Sequence, residues 1–430
     1  MAERSELQLQ VSTLGPPQKH FDDFEFPEPL QRPRSYIRSG VVVERSVDAY
    51  VQRAGGKAQI DGDDLVRGQG LAFPGVFNDQ LCVLHNLMSL EEVIRRVLSA
   101  YPGLSSNAQV EAISSGLINQ SFSVSDNGVE CVLQRVNQIF RAEIHQNIQA
   151  VSEHLHGQGF ATPRLLPTRA GDFFVELEAE GRWRLMTRLP GTTYDACGSP
   201  ERARSAASLV ARFHGALSDL THEFEPLGFP FHDTRAYRSQ LASALQRHRE
   251  HRFAKDVAEI AAVVTAGFRA FLDLHEQPLR AGHGDLKFNN ILFVEQQASA
   301  LIDLDTLSRL PLALELGDAW RSWCNRPGED SAEADLDLDV FRAAAAGYLD
   351  SSPLELAAPE LESLVVALDY ISLELAARFA TDALEECYFG WDEQRFESAA
   401  EHNLLRARGQ LSLYRQAEQT RSERRGFLLG

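Results

Sequence analysis

The 430-residue sequence predicts an α+β protein with two lobes, a small lobe rich in β-strands followed by a larger helical lobe. Two observations support this. Segments with strand-like alternation cluster between residues 110 and 186, and segments with a helical period dominate from about residue 199 onwards. The segment 187–191 between the two patterns is predicted to be a connector. We therefore expect one lobe over 89–186 and the other over 187–420.

Residues 1–88 are predicted to form an N-terminal extension that is partly disordered. Prolines interrupt its first part, where no helical period survives; they are Pro16, Pro17, Pro27, Pro29 and Pro33. Short apolar patches further along are compatible with short strands or with a cover for another domain. The sequence assigns no function to this extension.

The small lobe is predicted to begin with a helix over 90–98, for which Ser89 is a suitable N-cap. The strand-like segments lie at 110–113, 120–124, 130–136, 173–177 and 183–186. Asp126-Asn127-Gly128 is a hairpin turn signal between the second and third of them. A helix is predicted over 142–156, because its apolar residues recur on one face.

The large lobe is predicted to open with a helix at Ser199-Pro200-Glu201, which combines a cap, a proline in the first turn and an acidic residue. Further segments with a helical period lie at 235–249, 254–275, 335–348, 358–386 and 396–418. The strand-like segments of this half, 291–294 and 300–302, lie next to a loop rich in Asp and Asn. This loop is the first candidate for a functional site.

Composition and charge argue against several classes of function. The chain is 44% hydrophobic and 24% charged, and its formal net charge of −19 gives a surface that repels nucleic acids and anionic lipids. No apolar run reaches the length of a membrane span, and the N-terminal residues lack the apolar core of a signal peptide. The five cysteines are widely spaced, which argues against a disulfide framework or a zinc site. We therefore expect a cytoplasmic protein without a nucleic-acid or membrane partner.

The loop rich in Asp and Asn has the composition that phosphoryl transfer requires. His283-Gly284-Asp285 is followed by Asn290, and an apolar strand further on ends at Asp303. Phosphoryl transfer needs a carboxylate beside the attacking hydroxyl, together with an amide and a second carboxylate that hold magnesium on the nucleotide. Asp285 is the predicted catalytic base, Asn290 and Asp303 are the predicted magnesium ligands, and His283 is predicted to brace the loop. The competing interpretation is a turn that merely ends a strand.

The combination of His283-Gly284-Asp285 with Asn290 resembles the aminoglycoside phosphotransferase superfamily, which has a bilobal protein-kinase-like fold. Further segments are similar to one branch, the N-acetylhexosamine 1-kinase-like sugar kinases; they lie at 116–122, 132–137, 190–195, 231–234, 302–306, 317–321, 378–382 and 402–410. The resemblance covers about residues 90–418. It implies ATP and Mg²⁺ as cofactors and the anomeric hydroxyl of a hexosamine as the phosphoryl acceptor.

Candidate nucleotide-binding residues lie in a turn and in the connector. Backbone N–H groups of the turn that contains Gly116 and Asn119 are placed to cradle phosphates, since glycine allows a close approach. Met186 and Leu189, at the connector, are predicted to lie beside adenine. An ordinary hairpin turn and an ordinary linker are the competing interpretations.

The strand over 130–136 lacks the lysine that kinases usually place there to bind the α- and β-phosphates. Strand alternation puts Gln134 at the position of that lysine and Arg135 on the other face. Arg135 replaces the lysine only if a bulge turns it towards the nucleotide. On the following helix, Asn147 or Glu143 is the candidate partner on the side of the cleft, and an ordinary exposed helix edge is the competing interpretation.

Two further acidic residues are predicted to support the site. Asp305 is expected either to reach a second metal ion or to cap the local turn. Asp318 is expected to anchor the magnesium loop to the helical lobe.

Three residues are candidates for contacting the substrate. His232 and Asp233 are implied by the resemblance alone, and a helix cap explains Asp233 equally well. Arg321 is placed to reach substrate hydroxyls or the transferred phosphate, with a surface salt bridge as the alternative.

These observations predict an ATP- and Mg²⁺-dependent phosphotransferase that acts on a hydroxyl of a small molecule, with an N-acetylhexosamine as the leading acceptor. An aminoglycoside, choline or homoserine kinase remains open within the same chemistry. A nucleotide-binding regulator with weak catalysis is the alternative from another class, and the missing strand lysine favours it. The sequence makes no prediction of the oligomeric state.

Overall fold

The computed structural model describes residues 89–113, 118–269, 271 and 274–430. The described residues all belong to one unit of the chain, Asn86–Gly430. The predictions for the N-terminal extension and for Gly116 therefore lie outside the described residues.

The small lobe is built on an antiparallel sheet. Its elements are α1 (Leu90–Ser99), β1 (Gln109–Ile113), β2 (Gln120–Asp126), β3 (Val129–Val136), α2 (Ile144–Gly157), β4 (Val175–Leu177) and β5 (Gly181–Thr187). The strands form one five-stranded sheet in the order β1-β2-β3-β5-β4. At the start of α1, Ser89 and Glu92 form a capping box, which confirms the predicted helix start.

The two faces of this sheet have different environments. On one face, Leu133 of β3 and Trp183 of β5 are buried with residues of α1. On the other face, Val136 and Met186 belong to the core of the large lobe. Because side chains alternate along a strand, the residues of β3 and β5 between these positions divide between an outer core and the interlobe cleft.

The large lobe is mainly helical. Its helices are α3 (Pro200–Ala216), α4 (Thr234–Arg247), α5 (Ala254–Phe268), α6 (Leu312–Trp323), α7 (Leu338–Ser351), α8 (Ala358–Glu385) and α9 (Ala399–Leu429), and its strands are β6 (Leu279–Gly282), β7 (Ile291–Val294), β8 (Gln297–Leu301) and β9 (Ser308–Pro311). The strands pair as two antiparallel ribbons, β6 with β9 and β7 with β8. The bilobal α+β fold that the sequence predicts is confirmed.

Several elements differ from the predicted ones. The helix predicted over 254–275 ends at Phe268, and the last helix continues to Leu429, beyond the predicted lobe boundary at 420. The strands β6 and β9 and the helix α6 were not predicted.

The connector between the lobes is fixed to the large lobe by backbone hydrogen bonds. Thr192 and Phe293 each donate a backbone N–H to the other's carbonyl, at 2.9 and 2.8 Å. Gly191 has a φ of +131°, and a Cβ added there would lie 2.9 Å from the Phe293 carbonyl oxygen. Only glycine therefore allows the connector to pass this close to β7.

Among the described helices, none combines the length and apolar character needed to cross a membrane.

Candidate active site

The catalytic-loop candidate follows β6 and is shaped by Gly284. Its φ is +86°, and an added Cβ would lie 2.7 Å from the Thr306 carbonyl oxygen and 2.8 Å from the Phe231 ring. A side chain at this position would therefore push the loop away from both neighbours. Gly284 lets the chain turn so that Asp285 enters the cleft between the lobes.

A buried carboxylate on α6 holds the backbone of this loop. The N–H groups of His283 and Gly284 both donate to the Glu315 carboxylate, at 2.8 and 2.9 Å. His214 contacts the same carboxylate through Nε2 at 3.3 Å. Burial raises the pKa of Glu315, but these partners outweigh burial and hold the pKa below its ordinary value. Glu315 was missed by the sequence analysis, because no motif links it to the loop.

His283 connects the catalytic loop to the segment that carries Asp303. Its side chain is fully buried, and Nε2 lies 2.8 Å from the Ile302 carbonyl oxygen. Its Nδ1 accepts the backbone N–H of Asp285 at 3.2 Å. These contacts suit the supporting position predicted for His283.

Asp285 lies between two polar neighbours from its own loop. Asn290 donates through Nδ2 to Oδ2 of Asp285 at 3.1 Å and to its backbone carbonyl at 2.9 Å. Lys287 Nζ lies 3.2 Å from Oδ1 of the same carboxylate, and chiefly because of Asp285 the pKa of Lys287 is raised. Lys287 was missed as a site residue although it lies within the recognised motif. It places a positive charge where the reacting groups of a phosphotransferase would meet.

Asp303 occupies a left-handed backbone conformation, with φ 61° and ψ 64°, just before the 3₁₀ turn Leu304–Thr306. Such a conformation is rare outside glycine and often marks a functional position. Desolvation, followed by repulsion from Asp305 and Asp285, raises the pKa of Asp303 to about 7. A cluster of carboxylates of this kind favours a bound cation.

The donor set fits a magnesium ion that is shared with a nucleotide. Asp303 supplies a carboxylate, and Asn290, whose nitrogen donates to Asp285, has its amide oxygen to offer to a hard cation. No group of three His, Cys, Asp or Glu residues in the described part of the chain forms a metal cage by itself. Magnesium typically takes one or two protein carboxylates and completes its shell with phosphate oxygens and water.

The cleft between the lobes has a volume of about 1180 Å³. Residues of both lobes line it, among them Asn119, Gln134, Val132, Met186, Leu189, Asp285, Asn290, Asp303, Arg321 and Trp323. The cleft thus brings together the predicted catalytic and metal-binding residues with four of the predicted nucleotide-binding residues. The strand residues above and the catalytic loop below leave room for a nucleotide between them.

Arg135 lies away from this cleft and is not retained as a nucleotide-binding residue. It pairs with Trp183 across the sheet, and its guanidinium lies 6.0 Å from that indole ring. The pairing of β3 with β5 runs in register from Cys131 to Val136, so no bulge turns Arg135 round. Gln134 therefore keeps the position facing the cleft, as alternation predicts.

The cation beside Gln134 is Arg184, which the sequence analysis missed. Arg184 lies directly opposite Gln134 in the sheet and donates to its Oε1 through Nε at 2.9 Å and Nη2 at 2.7 Å. Its Nη1 donates to Asp305, and the Asp305 side chain also accepts from Asn119 at 2.7 Å. Asp305 therefore supports the site by linking it to the small lobe.

The prediction that Asn147 or Glu143 lies on the side of the cleft, as partner of the strand position that usually carries lysine, is wrong. Asn147 is buried against the large lobe, where it bonds to the backbone of Glu225 and to His222. Glu143 lies 3.6 Å from Arg141. The helix turns these polar groups away from β3, and Asp305 takes the position of the acidic partner.

The two substrate candidates of the loop before α4 have different environments. His232 is 5% exposed, has a φ of +47°, and contacts Glu374 through Nδ1 at 2.9 Å. Burial lowers the pKa of His232, but Glu374 outweighs burial and holds the pKa above its ordinary value. Asp233 is exposed and caps α4 by accepting the Ala236 N–H at 2.9 Å. Asp233 is explained by this cap, and we do not retain it as a substrate contact.

Arg321 lies at the cleft, but its guanidinium is already paired. It donates to Asp318 at 3.1 and 3.0 Å and also to Glu329, and it is 2% exposed. Burial raises the pKa of Asp318, but Arg321 and other nearby cations outweigh burial and hold it low. We therefore assign Arg321, like Asp318, to the support of the cleft rather than to substrate binding.

This fold and this cleft define a small-molecule phosphotransferase that acts on an alcohol group. The chain belongs to the phosphotransferase enzyme family (APH), whose model matches residues 109–349.

Relatives within and around this family agree with that class. Homoserine kinase from Methylobacterium radiotolerans is 25% identical over 292 residues, which cover 67% of this chain and 84% of that protein. Two solved structures show the same fold. An aminoglycoside phosphotransferase from Alicyclobacillus acidocaldarius has a TM-score of 0.52 at 18% identity and covers 76% of this chain and 96% of its own. Amicoumacin kinase, in complex with AMP-PNP, Ca²⁺ and Ami, has a TM-score of 0.54 at 13% identity and covers 76% of this chain and 94% of its own.

Proposed function

We propose that the protein transfers the γ-phosphoryl group of ATP to a hydroxyl of a sugar, with the anomeric hydroxyl of an N-acetylhexosamine as the leading acceptor and Mg²⁺ as the cofactor. The observation that carries the proposal is the convergence of Asp285, Asn290 and Asp303 in one cleft that also contains Gln134 and Met186. Phosphoryl transfer depends on positioning and on electrostatic stabilisation, so this convergence is the main structural requirement.

In this proposal Asp285 receives the proton of the acceptor hydroxyl as it attacks the terminal phosphorus. Lys287, 3.2 Å from the carboxylate, balances negative charge near the reacting groups. Asn290 orients Asp285 and, with Asp303, would hold the cofactor. Bound Mg²⁺ would neutralise the phosphate oxygens during transfer. ATP breaks its bond between the γ-phosphorus and the bridging oxygen, and ADP leaves with that oxygen.

Residues around His232, outside the lining of the cleft, favour an acceptor rich in oxygen atoms. The Phe231 ring lies against Gly284, which puts His232 next to the catalytic loop. Arg378 forms no ion pair with a carboxylate of the described residues, and its guanidinium lies 4.9 Å from the ring of Tyr237 and 5.7 Å from that of Tyr388. An aromatic cage of this kind binds ammonium groups in other proteins, but here it already holds a cation.

Three carboxylates around His232 and Arg321 are paired. Glu374 contacts His232, and Asp318 and Glu329 contact Arg321. An acceptor with several ammonium groups, such as an aminoglycoside, is bound by free carboxylates, whereas hydroxyl, amide or carboxylate oxygens would accept from Arg378. This charge distribution supports a sugar acceptor over a polyamine.

A hydroxy amino acid is the second candidate acceptor, because the homoserine kinase relative aligns with 67% of the chain. Its carboxylate would suit Arg378 as well as the oxygens of a sugar do. The regulator with weak catalysis is not supported, since Asp285, Asn290 and Asp303 all line the cleft and Arg184 supplies a cation next to Gln134.

The test is ADP release with Mg–ATP and a panel of acceptors: N-acetylhexosamines, hexoses, homoserine, choline and an aminoglycoside. We expect magnesium-dependent turnover with an N-acetylhexosamine and none with choline or the aminoglycoside. Turnover with homoserine alone would select the second candidate. Turnover confined to the cationic acceptors would contradict the proposed acceptor class.

A further inference from the structure

A buried arginine joins the nucleotide-binding sheet to the segment that carries the predicted metal ligand. Arg184 on β5 is 1% exposed in its side chain, so its guanidinium lies behind the wall of the cleft. It contacts Gln134 of the small lobe and Asp305 of the large lobe. A buried charge requires such partners, and guanidinium offers several donors in a fixed plane, which suits a connection to two groups at once.

On the side of the small lobe, this contact fixes both ends of the Gln134 side chain. Its Oε1 accepts two N–H groups of Arg184, and its Nε2 donates to Ser121 Oγ at 3.1 Å. Gln134 itself lines the cleft. The amide is therefore held in one orientation before a nucleotide arrives.

On the side of the large lobe, Asp305 accepts from the small lobe through both carboxylate oxygens. Arg184 contacts Oδ1 and Asn119 contacts Oδ2. Asp305 lies in the same 3₁₀ turn that Asp303 precedes, so fixing Asp305 also fixes the backbone that presents Asp303. His145 lies nearby, but burial and then Arg184 lower its pKa to about 4, so it stays neutral and does not compete for Asp305.

We propose that Arg184 is a positioning residue of the nucleotide site, which clamps Gln134 to Asp305 and so sets the position of Asp303 relative to the nucleotide-binding sheet. Arg184 thereby takes over the role of the usual strand lysine. It acts through Gln134 and Asp305 and does not contact phosphate itself. The inference rests on the proposed phosphotransfer from Mg–ATP.

The test compares Arg184→Lys and Arg184→Gln with the matched control Arg182→Lys. Arg182 lies on the same strand and points to the same face, but it pairs with Glu176 and the Phe140 carbonyl, away from Asp305. Binding of Mg–ADP is measured by calorimetry, KM for ATP and for the acceptor by ADP release, and folding by thermal denaturation. Lysine keeps the charge but cannot bond both partners as guanidinium does.

We expect both Arg184 variants to bind Mg–ADP about tenfold or more weakly and to raise KM for ATP, because a charge-assisted two-sided contact is lost. The acceptor KM and the Arg182→Lys variant should stay close to wild type. The double variant Arg184→Gln/Asp305→Asn should lose little more Mg–ADP affinity than either single variant, since both substitutions remove the same interaction. If the Arg184 variants fail to fold, Asp305→Asn alone should reproduce the loss of affinity.

The clamp would be overturned if folded Arg184 variants, or Asp305→Asn, kept the wild-type nucleotide affinity and KM for ATP. The proposed function would then remain in place. A wild-type protein that binds no Mg–nucleotide would overturn the proposed function and the clamp with it.

Discussion

At the scale of single residues, Asp303 lies in an arrangement that is electrostatically unfavourable for a lone carboxylate. Its backbone is left-handed, and burial, followed by repulsion from the carboxylates of Asp305 and Asp285, raises its pKa to about 7. Like charges held this close destabilise the folded chain unless a cation joins them. The residue is therefore placed for binding rather than for stability.

We predict that Asp303→Asn weakens Mg–nucleotide binding by at least about tenfold, because a hard cation loses an anionic ligand. The free energy of unfolding without ligand should stay the same or rise, since repulsion by Asp285 and Asp305 is relieved. Calorimetry with Mg–ADP and urea denaturation check the two parts. Affinity equal to that of wild type would exclude Asp303 as a metal ligand.

At the scale of elements, the catalytic loop takes its shape from α6. Glu315 accepts the backbone N–H groups of His283 and Gly284 and contacts His214, and it is 3% exposed. The loop thus depends on a helix that follows it in sequence, and a change in α6 reaches Asp285 through the backbone.

Glu315→Gln should lower the free energy of unfolding by about 3 kcal/mol, as expected when hydrogen bonds to a buried charged group are weakened. It should also lower kcat, because the loop loses its fixed shape. Urea denaturation and ADP release measure the two effects, with the exposed Glu355→Gln as the control. Stability and kcat that both match the control would show that the loop needs no such brace.

The segment before α4 gives a prediction for the pH dependence of stability. Glu374 holds the folded-state pKa of His232 above its ordinary value of 6.5, with Asp318 in support and Arg378 opposed. A raised folded pKa stabilises the protein fully below about pH 6.5, and this contribution is lost as the pH rises through the folded value.

The free energy of unfolding of wild type should therefore exceed that of His232→Gln by more at pH 6 than at pH 9. The expected difference at pH 6 is about 1.5–3 kcal/mol, the range for a hydrogen bond to a charged group. Chemical denaturation of both proteins across this range checks the prediction. A difference that does not change with pH would mean that His232 is neutral in the folded state.

At the scale of the whole molecule, the sequence predicted what is local. The spacing along the chain predicts Asp285, Asn290 and Asp303 as site residues, and strand alternation assigns Gln134 to the face of the cleft that it occupies. The two lobes followed from the change in hydrophobic period. These features depend on neighbours within a few residues.

Contacts between distant segments were not predicted. Arg184 becomes the partner of Gln134 only through the pairing of β3 with β5, and it meets Asp305 only when the lobes come together. Glu315 reaches the catalytic loop through packing of α6. Arg321 was interpreted as a substrate contact because its partner Glu329 lies in a loop without a motif. Strand pairing and helix packing decide such contacts, and a single sequence does not encode them in a pattern of spacing.

The most direct test of the central claim, that Asp285 is the base of a magnesium–nucleotide site between two lobes, is a comparison of wild type with Asp285→Asn. The measurement is kcat for ADP release with the best acceptor, alongside calorimetry of Mg–ADP binding. Asp350→Asn, at a surface salt bridge with Arg204, is the matched control.

We expect Asp285→Asn to lower kcat by about 10²- to 10⁴-fold, because a general base is lost, while Mg–ADP affinity remains within a few-fold of wild type. The Asp350→Asn control should keep the wild-type kcat and the wild-type affinity for Mg–ADP. Turnover by Asp285→Asn at the wild-type rate would contradict the account.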